Sequence, residues 1–289
     1  MRILEPTNRY QLKFELSNTE LHVANALRRI IISEVPTMAI EIVEVTENTS
    51  PLNDEFISHR LGFVPLMSRH VDMFDSHDMC KCEGFCSKCS VRYHLYKKCP
   101  PDQDNCDVTS NDIKLEPGQP GMNIEVTPVR YTDSKGNEEH PILIMKLSKN
   151  QIIDFTLIAK KGIGRKHAKW SPVATCIMRA EPIVELDQDK INQKMSLEHR
   201  KELVKRCPKK VFAFKELRSV VEIENADACT LCNECIKFTQ EEEVKIDNAI
   251  RIDEKEDKFI FTVESTGALP PEDIVLKAFE VLARKCKTI

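Results

Sequence analysis

No apolar stretch in the 289-residue sequence is long enough to cross a bilayer. Runs such as Ile30-Ile31-Ile32 and Ala39 to Val43 stop far short of the ~20 residues that a spanning helix needs. The opening residues, Met1-Arg2-Ile3-Leu4-Glu5-Pro6, lack the apolar core of a secretory signal, so a cytosolic or nuclear protein is expected. Positive charge is not in surplus either. The net charge of −4 and a pI near 6.1 argue against broad non-specific nucleic-acid binding, which needs a basic face that releases counterions. A P-loop, an Asp-rich magnesium motif and a nucleophile–base arrangement are all missing. Gly162-Ile163-Gly164 has no third glycine of a dinucleotide fingerprint and no Gly-Lys-Ser/Thr ending. With 41% hydrophobic and 30% charged residues, the composition is that of an ordinary globular protein, and nothing points to catalysis.

Cysteine is what the sequence has in excess. Twelve cysteines in a reducing compartment are not read as disulfides, and seven of them fall in two tight clusters, which points to metal. Cys80, Cys82, Cys86 and Cys89 form C-x-C-x3-C-x2-C around Gly84. Four thiolates on one short loop can close a tetrahedral zinc shell, and no histidine or carboxylate is placed to open it, so a structural site is expected. Such a site can stabilise a lobe poor in core residues, since zinc peptides bind with roughly 10–16 kcal/mol. Cys229, Cys232 and Cys235 form C-x2-C-x2-C and need a fourth ligand, for which the upstream Cys207-Pro208 stands ready. The ferredoxin run places its Cys-Pro after the third cysteine, where this chain has Thr239-Gln240. That leaves a single [4Fe–4S] cube, a second zinc, or a degenerate empty set. Cys99, Cys106, Cys176 and Cys286 read as ordinary thiols.

Periodicity outlines the fold. Tyr10, Leu12, Phe14 and Leu16 alternate as in a half-buried strand; Ser17-Asn18-Thr19 then offers caps to a helix carrying Leu21, Ala24, Leu27 and Ile31, which Pro36 stops. A strand from Met38 to Val45 follows. Towards the other end, Phe259, Ile260, Phe261 and Val263 predict a strand apolar on both faces. Pro270-Pro271-Glu272-Asp273 then starts a helix whose stripe is Ile274, Val275, Ala278, Phe279 and Leu282. Fully burying its four large members would contribute roughly 6–12 kcal/mol at most, so something must cover that face, either the chain's own sheet or a partner helix. Between the ends lie predicted strands Ile142 to Leu147 and Ile152 to Ala159, a Pro/Gly/Asp/Asn-rich stretch from Cys99 to Gly121, and a charged helical stretch from Asp187 to Arg206. Asp54 to Gly62 reads as a structural helix rather than an acid/base site. The basic segment from Lys160 to Trp170 reads as a special loop that docks on a protein rather than on nucleic acid.

The expected fold is α+β, with an α/β dimerisation domain made discontinuously from both chain ends. It comprises 1–45, 173–186 and 246–289, with a β-rich zinc-loop insertion at 46–172 and a smaller Cys-rich, ferredoxin-like insertion at 187–245.

Several segments in order resemble one family. Ala24-Asn25-Ala26-Leu27-Arg28-Arg29, Ser33-Glu34-Val35-Pro36-Thr37-Met38-Ala39-Ile40, Asp54-Glu55-Phe56, His59-Arg60-Leu61-Gly62, Lys161-Gly162-Ile163-Gly164, His167-Ala168-Lys169-Trp170-Ser171-Pro172 and Val263-Glu264-Ser265-Thr266-Gly267 look like the α-like subunits of multisubunit RNA polymerases. The zinc-type loop is similar to that of the third-largest subunit of eukaryotic RNA polymerase II, and the α-like subunit shared by polymerases I and III lacks it. Cys207, Cys229, Cys232 and Cys235 resemble the iron–sulfur domain of some archaeal D subunits. The resemblance implies a nuclear, non-catalytic assembly subunit. It would dimerise with a smaller α-like subunit through the helices near Glu20 to Ser33 and Glu272 to Lys285. The dimer would carry the large catalytic subunits and a small zinc-containing subunit, without sequence-specific nucleic-acid binding of its own. An archaeal D-type subunit and the polymerase I/III subunit are the alternatives within the class. Outside it stand an iron–sulfur electron carrier and a zinc-dependent nucleic-acid module.

Overall fold

The computed structural model describes residues 1–5, 9–76, 79–117, 126–133, 135–138 and 140–288. The end of the Cys99 to Gly121 stretch lies outside the described residues. Strands β1 (Arg2–Glu5) and β2 (Gln11–Ser17), helix α1 (Leu21–Ser33) and strand β3 (Pro36–Asn48) open the chain. Helix α2 (Asp54–Gly62) precedes β4 (Ser90–Lys98), β5 (Asn105–Thr109), β6 (Ile113–Leu115), β7 (Leu143–Ser148) and β8 (Ile152–Ile163). After β9 (Val173–Leu186) come α3 (Gln188–Lys194), α4 (Leu197–Arg206), β10 (Phe212–Lys215), β11 (Val220–Ile223) and α5 (Glu234–Gln240). Strand β12 (Ile250–Ser265) and helix α6 (Pro271–Thr288) close it. Helices and sheets are mixed throughout, in keeping with the expected class.

Two compact units divide the chain. One contains Met1–Arg2, Glu15–Ala24 and Met178–Ile260; the other contains Ile3–Phe14, Asn25–Ile177 and Phe261–Ile289. Strands β2, β9 and β12, which with β1 make a four-stranded sheet in the order β1-β2-β12-β9, each begin in one unit and end in the other.

In the larger unit a second sheet runs β3-β8-β4-β6, each strand antiparallel to its neighbours. Ile153, Phe155, Leu157 and Ala159 alternate along β8 and are fully buried with Val91, Tyr93 and Leu95 of β4 and with Ile57 and Leu61 of α2. Tyr93 keeps its hydroxyl in that core by donating to the Val126 carbonyl at 2.7 Å. Phe14 and Phe261 stack with ring centroids 4.9 Å apart, which accounts for the aromatic pattern read from both ends of the chain.

The smaller unit folds around Ile191, Leu203, Val211, Phe212, Val221, Phe238 and Ile246, and buries Cys229 and Cys235 among them. The expected charged helical stretch from Asp187 to Arg206 is present as two helices, α3 and α4. Asp187 caps the first by accepting from the Lys190 N–H, and Ser196 caps the second by accepting from the His199 N–H. A serine free to bond the main chain competes with helix continuation, and that break was not read from the charge pattern.

Helix α6 starts at Pro271 with Glu272 and Asp273 in its first turn, where the missing N–H and the acidic charges suit the positive helix end. Ile274, Val275 and Ala278 are buried, whereas Leu276 is 58% exposed and Phe279 and Leu282 are half-buried. On α1, Leu27, Ile30 and Ile31 are buried while Leu21 is 61% exposed.

Candidate metal centres and an open helix face

The zinc-type loop hangs between the turn after Phe74 and the start of β4. Asp75 N–H donates to the Lys88 carbonyl at 3.0 Å and closes the base of the loop. Gly84, at φ +97, provides the left-handed turn at its crown, and Ser90 Oγ donates to the Cys86 carbonyl at 2.8 Å. This folding brings the four sulfurs together. Cys80 to Cys86 and Cys82 to Cys89 are each 3.6 Å apart, and Cys86 to Cys89 is 3.7 Å. Bonds of about 2.3 Å to one zinc put tetrahedral thiolates about 3.8 Å apart, so the donor set fits a single small ion held only by sulfur.

Such crowding is unfavourable for the thiolate form when no cation is bound. The hydrogen bond with Cys80 foremost, with burial behind it, pushes Cys82 up to about 12. Burial foremost also raises Cys89, whereas the Lys88 main-chain N–H foremost lowers Cys86 to about 7. One thiolate forms readily near neutrality; two others need a metal to expel their protons.

Cys207, Cys229, Cys232 and Cys235 line one pocket with Pro208, Val211 and Phe212. Among the described residues no three of these sulfurs converge to within 4.8 Å, unlike those of the first loop. The Val211 N–H donates to Cys207 Sγ at 3.4 Å. Leu231 and Asn233, either side of Cys232, take left-handed conformations at φ 57 and φ 60, the backbone type from which anion-holding nests are built. For a leucine this conformation is strained and persists only where its surroundings impose it. Burial foremost pushes the Cys235 thiol up to about 11, with Cys207 and Cys229 adding to the rise. Cys232 is the exposed member of the four.

The other candidates resolve into structural roles. Arg60 of α2 donates from Nε to the Ile144 carbonyl at 2.8 Å and from Nη2 to the Leu143 carbonyl at 2.9 Å, which ties the helix to β7. The basic segment begins as strand rather than loop, because β8 runs to Ile163. Its lysines turn inward: Lys160, Lys161 and Lys169 donate to the carbonyls of Gly84, Phe74 and Ile40. Those anchors lie 76 to 129 residues away in sequence, so no local pattern could have pointed to them.

The apolar helix ends frame a groove. Ala26, Ile30 and Ile32 of α1 and Leu282 of α6 line it with Arg29 and Arg165, and an ion pair between Lys285 and Glu34 crosses its rim.

The RNA polymerase Rpb3/Rpb11 dimerisation domain matches residues 13–286. The chain is 42% identical over 291 aligned residues to DNA-directed RNA polymerase II subunit rpb3 of Dictyostelium discoideum, covering 100% of this chain and 93% of that protein. It is likewise 42% identical to subunit 3 of the RNA polymerases II, IV and V of Arabidopsis thaliana, over 96% of this chain and 86% of that one. To the archaeal subunit Rpo3 of Methanosphaera stadtmanae it is 32% identical, over 92% of this chain and 88% of the other. The chain therefore belongs to the RNA polymerase Rpb3/Rpb11 dimerisation family, the non-catalytic assembly subunits of DNA-directed RNA polymerases.

Proposed function

We propose that this chain is the third subunit of a nuclear RNA polymerase II, pairing with a smaller α-like subunit to make the platform on which the large catalytic subunits and a small zinc-containing subunit assemble. The observation that carries the reading is the incomplete cover of the two helices. Leu21 of α1 and Leu276 of α6 stand 61% and 58% exposed, and Ile30, Ile32 and Leu282 of the same helices line a groove, in a chain that matches a dimerisation family from residue 13 to 286. Apolar surface of that kind marks a protein interface. The mechanism is architectural. Burying these side chains against a partner fixes two chains in one orientation, and no residue of this chain performs a chemical step. On this reading residues 1–45, 173–186 and 246–289 make the dimerisation domain, with 46–172 and 187–245 inserted into it.

Zinc is the ion proposed for Cys80, Cys82, Cys86 and Cys89; their spacing and all-sulfur shell support it, and its part there is to hold the loop in shape. For Cys207, Cys229, Cys232 and Cys235 we favour a [4Fe–4S] cluster over a second zinc. Its four thiolates bind four different irons and so stand wider apart than those around one ion, and the hydrogen bond to the Cys207 sulfur and the left-handed backbone either side of Cys232 suit its charge. The test is anaerobic co-expression with the small α-like subunit. A stable heterodimer with zinc and iron in each copy of this chain supports both readings; a monodisperse monomer indifferent to the partner removes the assembly role.

A further inference from the structure

Lys160 carries a positive charge into the protein and meets no carboxylate there among the described residues. It lies on β8 opposite Ser90, the residue that follows Cys89, and is only 5% exposed. Its Nζ donates to the Gly84 carbonyl at 2.6 Å. Its neighbours on the same segment behave differently: Lys161 faces Asp72 and Lys169 pairs with Glu41. Among the described residues Lys160 has no carboxylate partner. Burying an ammonium against a neutral carbonyl alone is costly, and buried charges are ordinarily paired.

The carbonyl it holds belongs to the crown of the four-cysteine loop, two residues from Cys82 and two from Cys86. Four thiolates around one divalent zinc keep a net double negative charge. That centre supplies the missing counter-ion. We propose that Lys160 is the charge-compensating residue of the Cys80–Cys89 centre, a positioning residue that fixes the Gly84 crown and offsets the surplus negative charge of the metal–thiolate group. The assignment rests on reading the loop as a zinc site. One neighbouring cation is already committed elsewhere. Arg92, whose guanidinium lies over the Phe85 ring at 5.5 Å, is already shared between Glu116 and Glu44.

The experiment uses the full chain loaded with zinc, challenged with an excess of a chromogenic chelator, and follows the rate of zinc transfer. Lys160→Met keeps the apolar stem and removes the charge; Lys160→Arg restores the charge. Partners just outside a metal's ligands are typically worth 10–100-fold in metal retention, so Lys160→Met should lose zinc about 10-fold faster or more, and Lys160→Arg should recover most of that difference. If the stem acts only as packing, Lys160→Met releases zinc at the wild-type rate and the assignment falls. Should the variants not fold, the wild-type chain still decides. Acetylation of Lys160, read by peptide mass spectrometry, should be blocked in the zinc-loaded chain and open after chelation, and equal labelling in both states overturns the proposal. A wild-type chain that takes up no zinc at all overturns the zinc reading itself. A zinc-loaded wild type beside an indifferent Lys160→Met overturns only the role of Lys160.

Discussion

Trp170 occupies the space that a β-carbon on Gly162 would need: its indole ring atoms come within 2.3 Å of that position, and its Nε1 donates to the Lys160 carbonyl at 3.0 Å. The glycine is there for the ring's sake, and the ring pins the end of β8. Gly162→Ala should therefore overpack the site and destabilise the larger unit by about 1–3 kcal/mol, a fall of roughly 2–10 °C in its melting transition. Scanning calorimetry of the full chain reads it. Gly136→Ala, where nothing lies within 4 Å of the added carbon, serves as the control for crowding; only its left-handed backbone is strained.

The first metal centre should be acid-sensitive, and the sign follows from its thiols. Cys82 and Cys89 are raised above their ordinary range and are protonated at neutral pH in the metal-free loop, while Cys86, near 7, is about half ionised. Zinc binding at pH 7 must then release at least the two protons of Cys82 and Cys89. Affinity weakens as pH falls, and strengthens as pH rises towards the raised thiol values. Titration calorimetry in buffers of different ionisation enthalpy counts these protons; fewer than one would contradict the assignment of the four ligands.

The second centre makes a sharper demand on a distant residue. Cys207 stands 22 residues before Cys229 yet lines the same pocket. Cys207→Ala should abolish both the broad visible absorption and the iron of an anaerobically reconstituted chain, about four irons in the wild type. Cys106→Ser should leave them unchanged. Iron retained in full by Cys207→Ala would remove it from the ligand set.

Leu276 provides a test of the helix face that does not disturb the core. At 58% exposure, Leu276→Glu should change the stability of the chain by no more than about 0.5 kcal/mol. It should weaken the partner complex about ten-fold or more. Sedimentation of the co-expressed pair, wild type against variant, checks both effects.

Local chemistry made much of this molecule readable. Pro271 with Glu272 and Asp273 marks the start of α6, Pro36 marks the end of α1, and the Cys80 to Cys89 spacing signalled the four sulfurs that the fold brings together. What stayed hidden depends on contacts between distant residues. The basic Lys160 to Trp170 segment looked like a surface loop, because composition does not disclose that three of its ammonium groups find carbonyls far away. The N–H of Val211 on the Cys207 sulfur and the left-handed Leu231 had no signal either, since leucine carries no preference for that conformation. The break at Ser196 could have been found by weighing its capping preference against the charge pattern around it.

Amide hydrogen exchange of the full chain, with and without the small α-like subunit, tests the assembly role most directly. The account predicts strong new protection confined to α1 and α6, with the Cys80–Cys89 loop and helices α3, α4 and α5 little changed. Unaltered exchange in both helices, at partner concentrations that saturate any complex, would contradict it.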